Sequence, residues 1–378
     1  MMLPAANVDA YGINEEKPMK REILDPNLLD LKVSEADVVW HNALDAPFSL
    51  HGVYYDEEMA AYRRMPLRIA ERVNNGVRYY SSCTSGGRLR FRTSSPYVAL
   101  CVRIPPVGIE SNMPLSSLCG FSLYVNGAFS GKLSATANEA FESRKGSVIY
   151  SGSIPVRPAR EGIFECELYF PTYGGVKDLQ IGLAEGCTLL PPTPYKNPKP
   201  LVFYGSSIFQ GAAASRPGND FAAIIARRMG ADYLNFGCSG SGNAEDVMMD
   251  YLTAIDARAY IFDYNLWPSR PDRVLPPHYD VYRRFRDAHP SVPIVMIDKP
   301  GYTFSGEGYT VRREMIRKTY ERATREGDRL VGFLDAKDML GDIELDALAD
   351  TAHPNDYGFF RMADTVGAVL SELIARAE

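Results

Sequence analysis

Two short stretches, far apart in the chain, hold the residue types that can do acyl chemistry. In LVFYGSSIFQG, residues 201 to 211, an apolar run stops at Gly205 and presents Ser206 and Ser207. In ADTAHPNDYG, close to the C-terminus, Asp350 stands three residues before His353. A serine hydroxyl attacks an acyl carbon only when a base takes its proton, and histidine serves best when a carboxylate holds its ring N–H. Asp350 and His353 are close enough on one turn to form that pair. Each residue also has an ordinary reading. A serine after a strand is usually a turn or cap residue, and His353 before Pro354 is a natural lead into a helix.

The other histidines are weaker candidates. His41 and His51 lie in a strand-rich first half, His278 follows two prolines in a loop, and His289 ends a helix where it would meet the dipole. Serine attack creates an oxyanion, so donors must converge where that charge develops. Two further apolar runs end in suitable groups. NFGCSGSG offers backbone N–H groups at Gly240 or Gly242, and FDYN offers the side-chain amide of Asn265. Alone, the glycines read as a flexible turn and Asn265 as a loop cap. Trp267, Tyr302, Phe304 and Tyr309 follow the third and fourth runs, and read equally as a sugar-stacking wall or as loop packing.

These residues need a scaffold that gathers strand ends. From residue 201 onward the short apolar runs LVFYG, DYLNFG, AYIFDYN, PIVMID and RLVGFLD alternate with helical patterns such as NDFAAIIARRMG, where Asn219 or Asp220 caps and Gly230 stops the helix. Such alternation predicts an α/β fold with a parallel sheet covered on both faces, which binds ligands at the carboxyl ends of its strands. KPGYTFSGEGYTV reads as a long loop after the fourth strand, with the next helix beginning at VRREMIRK. Residues 36 to 188 instead alternate with period two, and Asn126-Gly127 marks a hairpin, which predicts an all-β sandwich. LLPPTPYKNPKP, residues 189–200, cannot continue a helix or a central strand. The expected domains are 1–188, a linker at 189–200, and 201–378.

With GSS, NxGxSG, DYN and DxxH at successive strand ends, the sequence resembles the SGNH (GDSL) hydrolases over roughly residues 200 to 378. The resemblance implies a flavodoxin-like fold, with Ser207 as nucleophile, His353 as base, Asp350 as its orienting acid, and Gly240 and Asn265 as oxyanion donors. Ser206 replaces the aspartate of GDS, and Asp263-Tyr264-Asn265-Leu266 departs from GxND. The first half, through FSLHGVYYDEEMAAYRRMP and FSLYVNG, resembles the jelly-roll-like domain that precedes such hydrolases. Together these imply an esterase of small acyl groups, O-acetyl on carbohydrate, with Trp267 and Tyr302 as substrate contacts and no metal or cofactor.

The composition bounds the alternatives. The chain of 378 residues is 46% hydrophobic and 23% charged with a net charge of -6, an ordinary globular balance that argues against a nucleic-acid surface. No apolar run is long enough to span a bilayer, and the N-terminus lacks the pattern of a secretory signal, so no membrane association and a cytoplasmic location are expected. Six scattered cysteines, without a CxxC pair, read as packing residues, with Cys238 in its Gly/Ser loop left open. One rival is a glycan-binding protein on an inactive scaffold. Another is a nucleotide fold built on Gly237, Gly240 and Gly242, but that spacing is GxxGxG rather than GxGxxG.

Overall fold

The computed structural model describes residues 33–157, 162–263 and 276–378. In the first half, Val38–Asn42, Asp178–Ala184, Tyr97–Ile104 and Val148–Pro155 pair in that order into an antiparallel sheet. Leu189–Leu190, Arg88–Thr93, Phe164–Tyr169, Gly120–Val125 and Ala128–Ser134 form a second, with Ser49–His51 added on Arg88–Thr93. Val98, Leu100 and Val102 of one sheet share a buried cluster with Leu89, Phe91 and Leu168 of the other, so apolar alternate residues close a sandwich. At the hairpin, Asn126 and Gly127 both have positive φ, 49° and 80°, as a tight two-residue turn requires.

The half is not purely strand. Pro66 opens a helix over Leu67–Val73, and Asn74 caps another over Asn75–Tyr80. A scan for period two passes over both. They turn Ala70 and Val77 away from the sandwich into a cluster with Met248, Met249 and Leu252 of the second half. Leu189–Leu190 likewise ties the start of the proline-rich segment to Arg88–Thr93.

The second half is a five-stranded parallel sheet: β1 (Leu201–Gly205), β2 (Tyr233–Gly237), β3 (Ala259–Phe262), β4 (Ile294–Ile297) and β5 (Val331–Leu334). Their spatial order, β2-β1-β3-β4-β5, is that of a flavodoxin-like sheet. Helices α1 (Ser207–Gln210), α2 (Phe221–Met229), α3 (Asp246–Thr253), α4 (His278–Ala288), α5 (Tyr302–Ser305), α6 (Glu307–Arg325), α7 (Ala336–Leu340) and α8 (Asp356–Ala377) complete it. Along β1, Leu201 and Phe203 pack with α2 and α8 whereas Val202 and Tyr204 pack with α3 and α4, which buries both faces. Asp220 caps α2 by accepting the Ala223 N–H, and Gly230 ends it in the left-handed conformation. Among the described residues no helix is long and apolar enough to cross a membrane.

Three expectations need adjustment. His278 is not in a loop: it starts α4, stacks on Phe262 and pairs through Nδ1 with the Thr319 hydroxyl, and burial pushes its pKa down to about 3. α5 at Tyr302–Ser305 and α6 from Glu307 take up most of KPGYTFSGEGYTV, with Gly306 between them in a positive-φ conformation that sequence patterns read only as a turn. Cys238 is buried, and burial raises its thiol pKa, which makes it a packing residue.

The halves join through buried charge. Arg88 is fully buried on the sandwich side, ion-pairs with Asp232, lies 3.5 Å from Glu167, and stacks its guanidinium 4.0 Å from the centroid of the Tyr233 ring. Arg64 donates to the carbonyls of Asn235 at 3.1 Å, Gly237 at 2.8 Å and Tyr80 at 2.6 Å, so a sandwich residue supports the carboxyl end of β2. A buried guanidinium is tolerated only when paired, and removing it strands its acids. Arg88→Ala should therefore lower unfolding free energy by about 3 to 5 kcal/mol in urea titration. A loss under about 1 kcal/mol would mean that the seam is held by apolar packing alone.

Candidate active site

The turn after β1 is shaped by one buried carboxylate. Asp263, immediately after β3, accepts the Ser206 backbone N–H at 2.9 Å and the Ser206 hydroxyl at 2.5 Å. Burial pushes the Asp263 carboxyl up, and the nearby Lys299 ammonium and these donors oppose the shift. Gly205 must be glycine: its φ is +157°, and a Cβ there would come within 2.0 Å of Asp263 Oδ1. With its hydroxyl held by Asp263, Ser206 serves as the cap of α1. The hydroxyl of the next residue is left to face another partner.

That partner is His353. Ser207 Oγ lies 2.8 Å from His353 Nε2, and His353 Nδ1 lies 2.8 Å from Asp350 Oδ2. The acid is gripped by its own turn, since Asp350 Oδ1 also accepts the backbone N–H groups of Ala352 at 2.8 Å and His353 at 2.7 Å. Asn112, from the sandwich half, donates to Asp350 Oδ2 at 2.8 Å. Partial burial pushes this carboxyl up, but the donors of His353, Ala352 and Asn112 outweigh it and hold the pKa at about 2. The 350–353 turn is itself fixed, with the Ala349 N–H donating to the His353 carbonyl and Asn355 capping α8 just beyond. Three residues from opposite ends of the second half therefore form one continuous relay, with Asp350 ionised at its end.

The loop after β2 closes on the same place. A Cβ on Gly242 would come within 2.4 Å of the Gly205 carbonyl oxygen, and one on Gly237 within 2.2 Å of the Gln210 N, so both glycines permit close backbone approach. Gly240 sits at the exposed rim of this loop with φ of +61°, and Gln210 accepts the neighbouring Ser239 N–H at 3.1 Å. Tyr173, from the sandwich half, donates its hydroxyl to the Ser207 carbonyl at 3.4 Å.

Asn265 and Trp267 lie outside the described residues, as does the side chain of Tyr309. Tyr302 opens α5, and its hydroxyl donates to the Gly341 carbonyl at 2.9 Å. Buried Glu344 accepts the backbone N–H groups of Gly301, Tyr302 and Thr303 and the Thr303 hydroxyl, which pins residues 301–303. Gly301 lies against the Thr351 carbonyl, where a Cβ would come within 2.5 Å. The segment beside the triad turn is thus anchored. Phe304 is exposed. Sequence reasoning missed Asp263, Asn112, Tyr173 and Glu344; of these only Asp263 carried a signal, a charged residue ending an otherwise apolar strand.

Residues 198–371 match the GDSL-like Lipase/Acylhydrolase family, and residues 38–189 match a domain described as the N-terminus of SGNH-hydrolase-type esterases. No curated protein sequence matches. Among solved structures, a GDSL-like lipase from Bacteroides ovatus is 26% identical, covering 89% of this chain and 98% of its own, with a TM-score of 0.75. A salicylyl-acyltransferase from a tetracycline biosynthetic pathway is 19% identical, covering 90% and 98%, at 0.69. A family two carbohydrate esterase from Clostridium thermocellum, solved with cellohexaose, is 15% identical, covering 78% and 94%, at 0.55.

The depressed Asp350 pKa carries a stability consequence with a definite sign. A carboxylate whose pKa falls from 3.8 to about 2 on folding stabilises the fold above about pH 4, and that contribution is lost as pH falls through about 2. Asp350→Asn should therefore have a lower urea midpoint than the parent at pH 7, and the gap should close toward pH 2. A gap independent of pH would show that the carboxylate charge is not what these donors hold.

Proposed function

We propose that this carboxylic ester hydrolase, whose residues 198–371 match the GDSL-like lipases and acylhydrolases and whose residues 38–189 match the N-terminal domain of SGNH-type esterases, uses Ser207, His353 and Asp350 to hydrolyse small acyl esters, O-acetyl groups on carbohydrate. The observation that carries this reading is the relay itself, Ser207 Oγ to His353 Nε2 and His353 Nδ1 to Asp350, both at 2.8 Å, beyond the carboxyl end of β1. Among the flanking serines, Ser206 is occupied by Asp263, so Ser207 alone has its hydroxyl directed at a base.

In the first half-reaction His353 Nε2 takes the Ser207 proton as Oγ bonds to the ester carbonyl carbon. The carbonyl oxygen becomes an oxyanion, which the backbone N–H groups of Ser207 and Gly240 and the Asn265 amide would receive. The imidazolium, stabilised by ionised Asp350, returns its proton to the leaving alcohol oxygen as the C–O bond breaks, leaving an acyl group on Ser207. Water then attacks that acyl group with His353 again as base, releasing the acid and restoring the serine. The Ser207 N–H belongs to the first turn of α1, where backbone donors have no partner within the helix, which suits this role.

The carbohydrate part rests on a different kind of support. It is supported by likeness over 78% of this chain and 94% of its own to the carbohydrate esterase solved with cellohexaose. Acetylated oligosaccharides assayed by released acetate, with p-nitrophenyl acetate as the generic ester, test the two parts separately.

Ser207→Ala and His353→Ala should each reduce turnover of p-nitrophenyl acetate by ~10³ or more, and the double variant should be scarcely worse than either, because the residues act as a unit. A parent protein that gives neither a burst nor turnover with p-nitrophenyl acetate would instead favour a glycan-binding scaffold. Activity lost in Ser206→Ala but kept in Ser207→Ala would shift the nucleophile by one residue.

A further inference from the structure

Asp350 Oδ2, the oxygen that meets the His353 ring, has a second donor from the other half of the molecule. Asn112 is 238 positions away in sequence, on a turn between Tyr97–Ile104 and the short helix Leu115–Leu118 of the sandwich, and its Nδ2 lies 2.8 Å from Oδ2. The other donors to this carboxylate, the Ala352 N–H, the His353 N–H and His353 Nδ1, all belong to the turn that carries the acid. Among the described residues, Asn112 is the donor that reaches this carboxylate from outside that turn.

We propose that Asn112 is a positioning residue for the esterase reaction, through which the sandwich half completes the acid of the Ser207–His353–Asp350 relay. The inference rests on the triad reading above. Three donors come from one four-residue turn, two to Oδ1 and one to Oδ2; a fourth, to Oδ2 from a separately anchored loop, fixes the carboxylate plane and keeps an Oδ2 lone pair on Nδ1. A donor to the carboxylate also stabilises its charge, so the acid holds the imidazolium without taking its proton.

The loop is built to deliver this group. Val107 is buried and its N–H donates to Ser143 Oγ at 3.1 Å, while Met113 and Leu115 pack on the sandwich core. Four residues beyond Asn112, Ser116 Oγ donates to the Ser215 carbonyl of the α/β half at 2.5 Å. Asn112 thus lies between an anchor in the sandwich and a tie across the seam. Around Asp350, the titratable group on its own turn is His353. On the loop Glu110 is exposed, and beside the turn Glu344 is engaged with the backbone of residues 301–303.

The sign of the pH effect follows. Without the Asn112 donor the Asp350 carboxylate is more basic and holds the imidazolium formed during turnover more tightly, so the acid limb of the rate profile lies at higher pH. Turnover of p-nitrophenyl acetate by the full chain, measured from pH 5 to 9, tests this with Asn112→Ala, Asn112→Asp, Asp350→Ala and the Asn112→Ala/Asp350→Ala double variant. We expect Asn112→Ala to lower kcat on the order of tenfold with KM within about twofold, the scale of one hydrogen bond to a charged group. The acid limb should move to higher pH, and further in Asn112→Asp, where a second carboxylate faces the first. In the Asp350→Ala background the Asn112→Ala loss should vanish, since nothing remains to position. A kcat within about twofold of the parent with an unmoved acid limb overturns the proposal, and so does an equal loss in both backgrounds. Ser207→Ala, run alongside, separates the two readings: if it kept full turnover the triad assignment would fall, whatever Asn112 did.

Discussion

Everything at the site depends on two dissimilar halves being docked in one position, and a buried guanidinium does most to set that position. Arg88 has no exposure to water, so its charge must be met inside the protein, and the groups that meet it come from both sides: Glu167 from the sandwich, Asp232 and the Tyr233 ring and carbonyl from the start of β2. Such a contact is directional where apolar packing is not. A shift along the seam would leave a charge buried without a partner, a far larger penalty than a few misplaced methyl groups. With the halves held in that register, Arg64 reaches the end of β2, Tyr173 reaches the Ser207 carbonyl, and Asn112 reaches Asp350.

Within the α/β half a second buried charge shapes the turn. Asp263 holds both the backbone and the side chain of Ser206, which removes one serine from chemistry and orients the chain so that the next begins α1. The requirement for glycine at position 205 comes from the same carboxylate, since its Oδ1 occupies the space a Cβ would need.

Residue types and distances alone do not make such a site. At the seam Ser49 Oγ lies 3.1 Å from His51 Nε2, and His51 Nδ1 lies 3.1 Å from Asp232, a second alignment of serine, histidine and aspartate. Asp232 is already ion-paired with Arg88, so its charge is largely spent on the guanidinium and has little left to stabilise an imidazolium. Ser49 lies in a strand, two residues from His51, and not at a strand end that opens a helix. The relay at Ser207 differs in both respects: Asp350 faces neutral donors and His353, and Ser207 heads a helix at the carboxyl edge of the sheet.

The sequence by itself determined the order of strands and helices, the change of period at the proline-rich segment, and the Gly205-Ser206-Ser207 and Asp350/His353 motifs, because apolar periodicity, turn residues and a three-residue spacing are local properties. It left the helices at Leu67–Val73 and Asn75–Tyr80 unread, since their burial against Met248 and Leu252 is a fact about the other half. It could not separate the roles of Ser206 and Ser207 from their chemistry, which are identical; only the folded chain brings Asp263 to one and His353 to the other. Asn112 carries no local mark at all. A half-buried asparagine in a turn becomes part of a carboxylate's environment only when a contact across 238 residues of chain is closed, and contacts of that range are decided by how two cores pack, not by any stretch of sequence read alone.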